Sequence, residues 1–327
     1  MIKDIEKDNL PLFISFSGGE TSGFMLWYLL EQHRKEIIIT DDNHLDYFSE
    51  KDSNGNWINQ FDYKRQIIVL FANTGQENEE TLVFVKKCAE HFKVGIKWIE
   101  AIVDMRYRVG IKHRVVNFET AERNGETFEK MISKLGIPNV ENQYCTRDLK
   151  QYPMEHYLKT KGIKEYHTAI GIRADEIDRL GKYYYPLVPL GITKKHINKF
   201  WSEMPFRLEL KGYQGNCKWC YKKALRKHLT LLNEFPEYYD FPKLMESKYE
   251  NFVNDNRLAK LNKEGKSVDL PIRFFRKNLS VYDLVELAKD FTDYAHDDSR
   301  DTNYQTSLIN GFELDVSNGC VESCEIY

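Results

Sequence analysis

The sequence predicts an α/β protein, with a doubly wound, Rossmann-like parallel sheet and a smaller, mostly helical C-terminal part. Short apolar runs alternate with segments of helical spacing through most of residues 1–213, which is typical of a parallel sheet with right-handed crossovers. A glycine turn joins the first apolar run to the first helical segment. Residues 214–327 are mostly of helical pattern, and we therefore place a domain boundary between 213 and 214.

Strands are expected where apolar, β-branched and aromatic residues cluster, at residues 11–17, 66–72, 95–102 and 165–172. Helical spacing predicts helices over residues 21–31, 79–92, 147–160 and 193–201. Pro153 interrupts the third of these helices, and Thr193 is a suitable N-cap for the fourth. Residues 105–139 follow no clear pattern, and we interpret them as a helical insertion near the site.

Composition excludes several classes of protein. Hydrophobic residues make up 42% of the 327 residues and charged residues 30%, which allows a packed core. The net charge of −3 demands neither a nucleic-acid nor a membrane partner. No apolar run approaches the ~18 residues of a membrane span, and acidic residues stand where a signal peptide would be basic. We expect a cytoplasmic protein.

The glycine turn has the composition of a phosphate-binding loop. Glycines let the backbone adopt positive φ and approach an anion closely, and the N–H groups at a helix start favour negative charge. The loop lacks the lysine of a Walker motif and is not G-x-G-x-x-G either. A strand-to-helix turn with capping hydroxyls is the alternative. The residues expected to hold phosphate are Ser17, Gly18, Gly19, Thr21 and Ser22.

An ordered series of motifs resembles the phosphoadenosine phosphosulfate (PAPS) reductase family of the adenine nucleotide alpha hydrolase-like (PP-loop) superfamily. The loop SGGETS is similar to the PP-loop S-G-G-x-[DT]-S, and FANTGQENEET to the family's D-T-G…E-T segment, with Asn73 where aspartate is common. CTRDLKQYP resembles C-C-x-x-R-K-x-x-P, with Thr146 replacing the second cysteine. AIGIRADE and the segment 215–220 complete the series, and beyond residue 223 the resemblance fades.

The resemblance implies an adenine nucleotide, either ATP, PAPS or adenylyl sulfate (APS), at this loop. It adds Asn73, Thr74, Gly75 and Arg173 to the nucleotide-binding residues. An arginine fork can grip two phosphate or sulfate oxygens; an ion pair with Asp175 or Glu176 is the alternative for Arg173. Arg173 and Lys150 are also candidate catalytic residues. If ATP is the substrate, Glu77 or Glu80 would hold Mg²⁺, although acidic residues also favour a helix N-terminus without a metal.

The cysteines suggest metal or redox chemistry. Cys145, Cys217 and Cys220 resemble three of the four ligands of the [4Fe–4S] cluster in adenylyl-sulfate reductases. Thiolates suit zinc equally, so zinc is the alternative metal, and a thiol redox pair or a packing role stays open. A three-cysteine cluster could leave one iron open, which would resemble certain tRNA-thiolating enzymes, or Cys320 or Cys324 could supply the fourth ligand. Cys320 and Cys324 are also candidate catalytic thiolates, since the tail VESCE is loosely similar to the family's Glu-Cys-Gly motif. Cys88 is expected in the core.

The resemblance implies sulfonucleotide reduction, in which a cysteine thiolate attacks the sulfur of PAPS or APS and a thioredoxin-like protein supplies the reductant. One alternative is an ATP pyrophosphatase-type sulfurtransferase that adenylates a nucleic-acid substrate, as in tRNA thiolation or DNA phosphorothioation. Another is a nucleotide-binding protein without catalysis. The basic segment 218–228, together with Lys194, Lys195 and Lys199, is compatible with a nucleic-acid partner. The sequence is also compatible with an oligomer.

Overall fold

The computed structural model describes Ile5 and residues 8–34, 64–106 and 109–302. The strands of this part are β1 (Leu12–Ser15), β2 (Ile67–Ala72), β3 (Ile96–Ile102), β4 (Lys112–Val116) and β5 (His167–Ala169). Its α-helices are α1 (Glu20–His33), α2 (Glu79–Phe92), α3 (Glu126–Leu135), α4 (Tyr152–Thr160), α5 (Lys194–Glu203), α6 (Leu225–Glu234), α7 (Asp240–Tyr249), α8 (Asp255–Lys263) and α9 (Val281–Ala288). Cys320 and Cys324 lie outside the described residues.

The strands form one sheet in the order β4-β3-β2-β1-β5. β1 pairs in parallel with both β2 and β5, and β2 pairs in parallel with β3. The predicted α/β class is therefore confirmed. The prediction of a helical insertion over residues 105–139 is wrong in part, because this segment contributes the antiparallel edge strand β4 as well as α3.

Alternating side chains along the central strands serve two different helical layers. Leu12 and Ile14 of β1 pack with α1, α2 and α5 on one face of the sheet, and this cluster is the first core. Phe13, between them, packs on the opposite face with Met154 and Leu158 of α4. Because both faces of these strands are covered, β2 is a continuous apolar run, and β1 and β3 are mostly apolar.

The order of the strands places the winding reversal beside β1. From β1 the chain adds β2, β3 and β4 on one side, and it returns to the other side of β1 to form β5. Open α/β sheets bind ligands at the carboxyl ends of the strands where this reversal occurs. The loop 17–22 follows β1, and Arg173 follows β5 by four residues. Both therefore lie at the expected ligand edge.

A second core joins the helical C-terminal part to the sheet. It contains Met131 of α3, Leu231 of α6, Met245 of α7 and Leu284 of α9. Ala101 of β3 belongs to the same core. This core thus takes side chains from both sides of the boundary predicted after residue 213, which itself stays a prediction. Among the described residues, no helix combines the length and the apolar character that a membrane crossing requires.

The predicted helix 147–160 begins as a π-helix at Cys145–Gln151 and continues as α4. Pro153 lies in the first turn of α4. A proline has no N–H to donate, and its ring crowds the carbonyl group four residues earlier, here that of Leu149. A wider turn relieves that conflict, and such π-turns are frequent at functional sites.

The second core buries a histidine that stays neutral. The Nδ1 atom of His228 lies 2.7 Å from the Tyr239 hydroxyl, and its ring packs against Phe275. Burial, together with the positive charges of Lys223 and Arg276, lowers the pKa of His228 well below its usual 6.5. Below about pH 6.5 this histidine is therefore protonated in the unfolded chain but stays neutral in the folded protein. Acid consequently favours unfolding.

We predict that the free energy of unfolding falls between pH 6.5 and 5 by up to ~1.4 kcal/mol per pH unit from this group alone. The His228→Gln variant should lose that part of the slope, although its stability is lower throughout. Urea denaturation of both proteins at a series of pH values measures the difference. Equal slopes in the two proteins would contradict the assignment.

Candidate functional site

The backbone of the loop 17–22 requires glycine at one position and tolerates another residue at the next. Gly18 has φ of 81°, and a Cβ atom there would lie 2.7 Å from Cγ2 of Thr81 in α2. Gly19 is the N-cap of α1 with an ordinary φ of −98°. Within the described chain, no side chain caps the start of α1. The first amide groups of the helix are therefore not satisfied by a capping side chain, which is a feature of anion sites at helix starts.

The loop hydroxyls have different roles. Oγ of Ser22 donates to the Gly19 carbonyl at 2.9 Å and lies 2.9 Å from Oγ of Ser17. Ser22 is buried, so its hydroxyl holds the loop together. Ser17 and Thr21 are half-buried. Of the three residues whose hydroxyls are expected to bind phosphate, these two are partly exposed, and their contact with a phosphate stays a prediction.

Arg173 reaches the loop from the neighbouring strand. Its Nη1 donates to Oγ1 of Thr21 at 3.3 Å. Its Nε donates to Asp175 at 2.9 Å, and Nη1 lies 3.4 Å from Glu176. The ion pairs offered as the alternative for Arg173 are thus present together with its contact to the loop. The two carboxylates fix the guanidinium at the ligand edge.

The residues after β2 are engaged within the protein. Nδ2 of Asn73 donates to Glu100 at 2.6 Å and to the carbonyl of Glu122 at 2.8 Å. The hydroxyl of Thr74 donates to the carboxylate of Glu77 at 2.9 Å. Gly75 has φ of 78°, a left-handed turn that suits glycine. These side chains shape the turn, and their contact with a nucleotide stays a prediction.

Glu77 and Lys150 form a buried ion pair beneath the loop. Nζ of Lys150 lies 3.4 Å from Oε1 of Glu77, and the two side chains are 8% and 1% exposed. The backbone N–H of Thr74 donates to Oε2 of Glu77 at 2.8 Å. The sequence analysis gave Glu77 as a candidate Mg²⁺ ligand. In the structure its carboxylate is the counter-ion of Lys150. Glu80 lies in the first turn of α2 and is half-buried.

Two of the three predicted ligand cysteines contact this cluster or the segment beside it. Sγ of Cys217 lies 3.7 Å from Oε1 of Glu77, and the two residues form an antiparallel backbone bridge. Sγ of Cys145 lies 3.4 Å from the hydroxyl of Tyr221. Cys220 is buried. The segment that carries the C-x-x-C motif therefore packs against the turn after β2.

The cysteines have the chemistry of soft-metal ligands, but the described part of the chain contains no group of three or more histidine, cysteine, aspartate or glutamate side chains placed to hold a metal. The [4Fe–4S], zinc and Mg²⁺ sites therefore stay predictions. Cys88 is buried in the first core, as expected, and burial raises the pKa of its thiol well above the usual range. That thiol packs as an apolar side chain.

Sequence reasoning missed two side chains that hold the loop. Nδ2 of Asn216 donates to the Ser17 carbonyl at 2.9 Å. Arg207 binds both carboxylate oxygens of Glu20 at 3.0 Å. Burial raises the pKa of Glu20 although Arg207 opposes the shift. The position of Asn216 next to the C-x-x-C motif was the signal available for it; nothing marked Arg207.

Much of the basic segment 218–228 is interior. Trp219 and Tyr221 are each 2% exposed and belong to the second core, so neither ring is available to stack on a base. Lys223 is buried, and its Nζ donates to the carbonyl of Cys217 at 2.8 Å. The exposed lysines of the region are on α5, at Lys195 and Lys199. A nucleic-acid partner stays a prediction.

We predict that Lys150→Met destabilises the fold by about 3–5 kcal/mol, because it leaves the Glu77 carboxylate buried without its partner. Adding Glu77→Gln should recover much of the loss, since the double variant buries no unpaired charge. Chemical denaturation of the two single variants and the double variant measures the coupling. Lys199→Met, an exposed change on α5, is the control. Additive losses would contradict the pairing.

Comparison with known proteins adds one relative. The chain is similar to the uncharacterized nin region protein ORF290 of Escherichia phage lambda, with 29% identity over 225 residues, which cover 65% of this chain and 67% of that protein. No family model matches the sequence, and no solved structure matches it. The name of the relative states no activity, so any proposal about function depends on the site.

Proposed function

We propose that this chain binds an adenine nucleotide at the loop 17–22 and belongs to the PAPS reductase family of the adenine nucleotide alpha hydrolase-like superfamily. One observation carries the proposal. At the winding reversal of the sheet, the uncapped start of α1 and the guanidinium of Arg173 meet at Thr21. Amide groups at a helix start and an arginine fork are both donors to phosphate and sulfate oxygens.

The reaction that we propose first is sulfonucleotide reduction. A cysteine thiolate attacks the sulfur of PAPS or APS; a sulfur–sulfur bond forms, and the bond from sulfur to the phosphate oxygen breaks. The nucleotide leaves with a 5′-phosphate group. A thioredoxin-like dithiol then attacks the cysteine sulfur, releases sulfite and becomes a disulfide, so that it supplies the two electrons. Cys320 and Cys324 are the candidate nucleophiles from the sequence.

The completeness of the loop favours a second reaction, that of an ATP pyrophosphatase. Ser17 and Thr21 present half-buried hydroxyls beside the helix start, a grip that suits a pyrophosphate leaving group. Cys217 lies against the turn after β2. A sulfurtransferase that adenylates a nucleic-acid substrate would use both features.

We predict that Ser17→Ala combined with Gly19→Ala abolishes nucleotide binding and leaves the fold intact. A Cβ atom at Gly19 meets Asn216 at 3.5 Å, an ordinary contact, so the free protein accommodates it. A loss of at least ~100-fold in affinity corresponds to about 2.7 kcal/mol. Calorimetric titration with ATP, PAPS and APS measures it, with Ser247→Ala on α7 as control. Unchanged affinities would overturn the loop assignment.

Analysis of the released products distinguishes sulfonucleotide reduction from the ATP pyrophosphatase reaction. Sulfite release from PAPS or APS with a dithiol reductant supports reduction, and pyrophosphate release from ATP supports the sulfurtransferase. A nucleotide that raises the melting temperature but is never turned over would indicate a binding protein without catalysis.

We also predict that a protein prepared without oxygen contains iron and sulfide, about four irons per chain for a [4Fe–4S] cluster. Cys145→Ala or Cys217→Ala should remove them, whereas Cys88→Ala in the first core should not. Metal analysis and the visible spectrum measure the difference. Zinc in place of iron would select the alternative metal, and a metal-free, colourless protein would leave the cysteines as thiols.

A further inference from the structure

A cavity of about 260 Å³ opens on the face of the sheet that carries α4. α4 packs over β2, β3 and β4. The cavity lies beside it, with Phe13 of β1 and Thr168 of β5 among its lining residues. No residue of the loop 17–22 lines it. The cavity is therefore separate from the proposed nucleotide site.

The walls of the cavity are aromatic. The ring of Tyr166 meets that of Phe13 edge to face, with centroids 6.0 Å apart. Tyr183 and Tyr184 are further aromatic walls, both half-buried, and the ammonium group of Lys182 lies 5.6 Å from the centroid of the Tyr183 ring. Burial raises the pKa of both Tyr166 and Tyr183, so both phenols stay neutral. Neutral aromatic faces of this kind stack on nucleobases.

Polar atoms around the rings keep hydrogen-bonding capacity for a ligand. Oε1 of Glu155 accepts from Nε2 of Gln151 at 3.0 Å, which leaves the second carboxylate oxygen and the amide oxygen of Gln151 as acceptors. Within the described chain, the hydroxyls of Tyr166, Tyr183 and Thr168 donate to no other residue. Acceptors beside a stacking surface suit the amino and ring N–H groups on the edge of a base.

The charge and the size of the cavity indicate which class of molecule fits it. Glu155 and Lys182 both line the cavity, so their opposite charges favour neither an anion nor a cation. This lining is compatible with a neutral, planar molecule. Pockets for drug-sized ligands span about 300–1,000 Å³, so this smaller cavity suits a single ring system.

We propose that this cavity binds one nucleobase bearing an amino group, such as guanine, stacked on Tyr183 with its N–H groups directed to Glu155. The base belongs either to a free nucleoside or to a single-stranded nucleic acid, whose exposed bases are recognised in the same way. The proposal goes beyond the function proposed above and does not depend on it.

The test uses the full chain carrying Ser17→Ala and Gly19→Ala, so that the loop does not contribute. Guanosine, uridine and a guanine-containing single-stranded oligonucleotide are titrated by calorimetry. Guanosine should bind more tightly than uridine. Tyr183→Ala should weaken guanosine binding roughly tenfold or more through lost stacking, and Glu155→Gln, an exposed change, should reduce the preference over uridine. Tyr282→Ala on the exposed face of α9 is the control.

A tighter complex with the oligonucleotide than with guanosine identifies nucleic acid as the source of the base, and equal affinities identify a free nucleoside. The proposal is overturned if neither probe binds, or if Tyr183→Ala and Glu155→Gln both leave binding unchanged. Guanosine binding that needs an intact loop also overturns it, and in that case the proposed function of the loop still stands.

Discussion

The arrangement of the site depends on the contacts that the buried carboxylate of Glu77 makes with three segments of the chain. It accepts from Thr74 in the turn after β2, it pairs with Lys150 of the π-helix, and it lies against the thiol of Cys217. A buried carboxylate is costly unless it is paired and hydrogen-bonded, so the fold must bring these partners to it. Three segments that are distant in sequence are thereby held together beside the loop at the end of β1.

The strands and helices that the sequence predicted well are those in which burial produces a regular pattern of apolar residues. β2 is a continuous apolar run and β3 is mostly apolar because both faces are covered, and α2 begins and ends at the residues expected from its spacing. β4 was missed because an edge strand needs no such run. It carries Lys112, His113 and Arg114, and charge on an edge strand also protects against unwanted pairing.

The site was predictable where its residues are close in sequence or are placed by topology. The loop 17–22 is a local motif, and the position of Arg173 follows from the rule for the ends of parallel strands. The pair of Glu77 and Lys150 spans 73 residues, and the hydrogen bond from Asn216 to Ser17 spans 199. Contacts of this range depend on how the second core packs against the sheet, which a single sequence does not encode in any local pattern.

The charged side chains around the loop form ion pairs with one another. Arg207 binds the carboxylate of Glu20, the acidic residue of the loop itself. Arg179 binds that of Glu176 at 2.6 Å, and Arg173 pairs with Asp175. Each of these carboxylates thus has an arginine partner. The start of α1 adds a partial positive charge, which falls off within the first turn of the helix. A phosphate at the proposed site would meet that partial charge and the guanidinium of Arg173, while the neighbouring carboxylates are already paired with arginines.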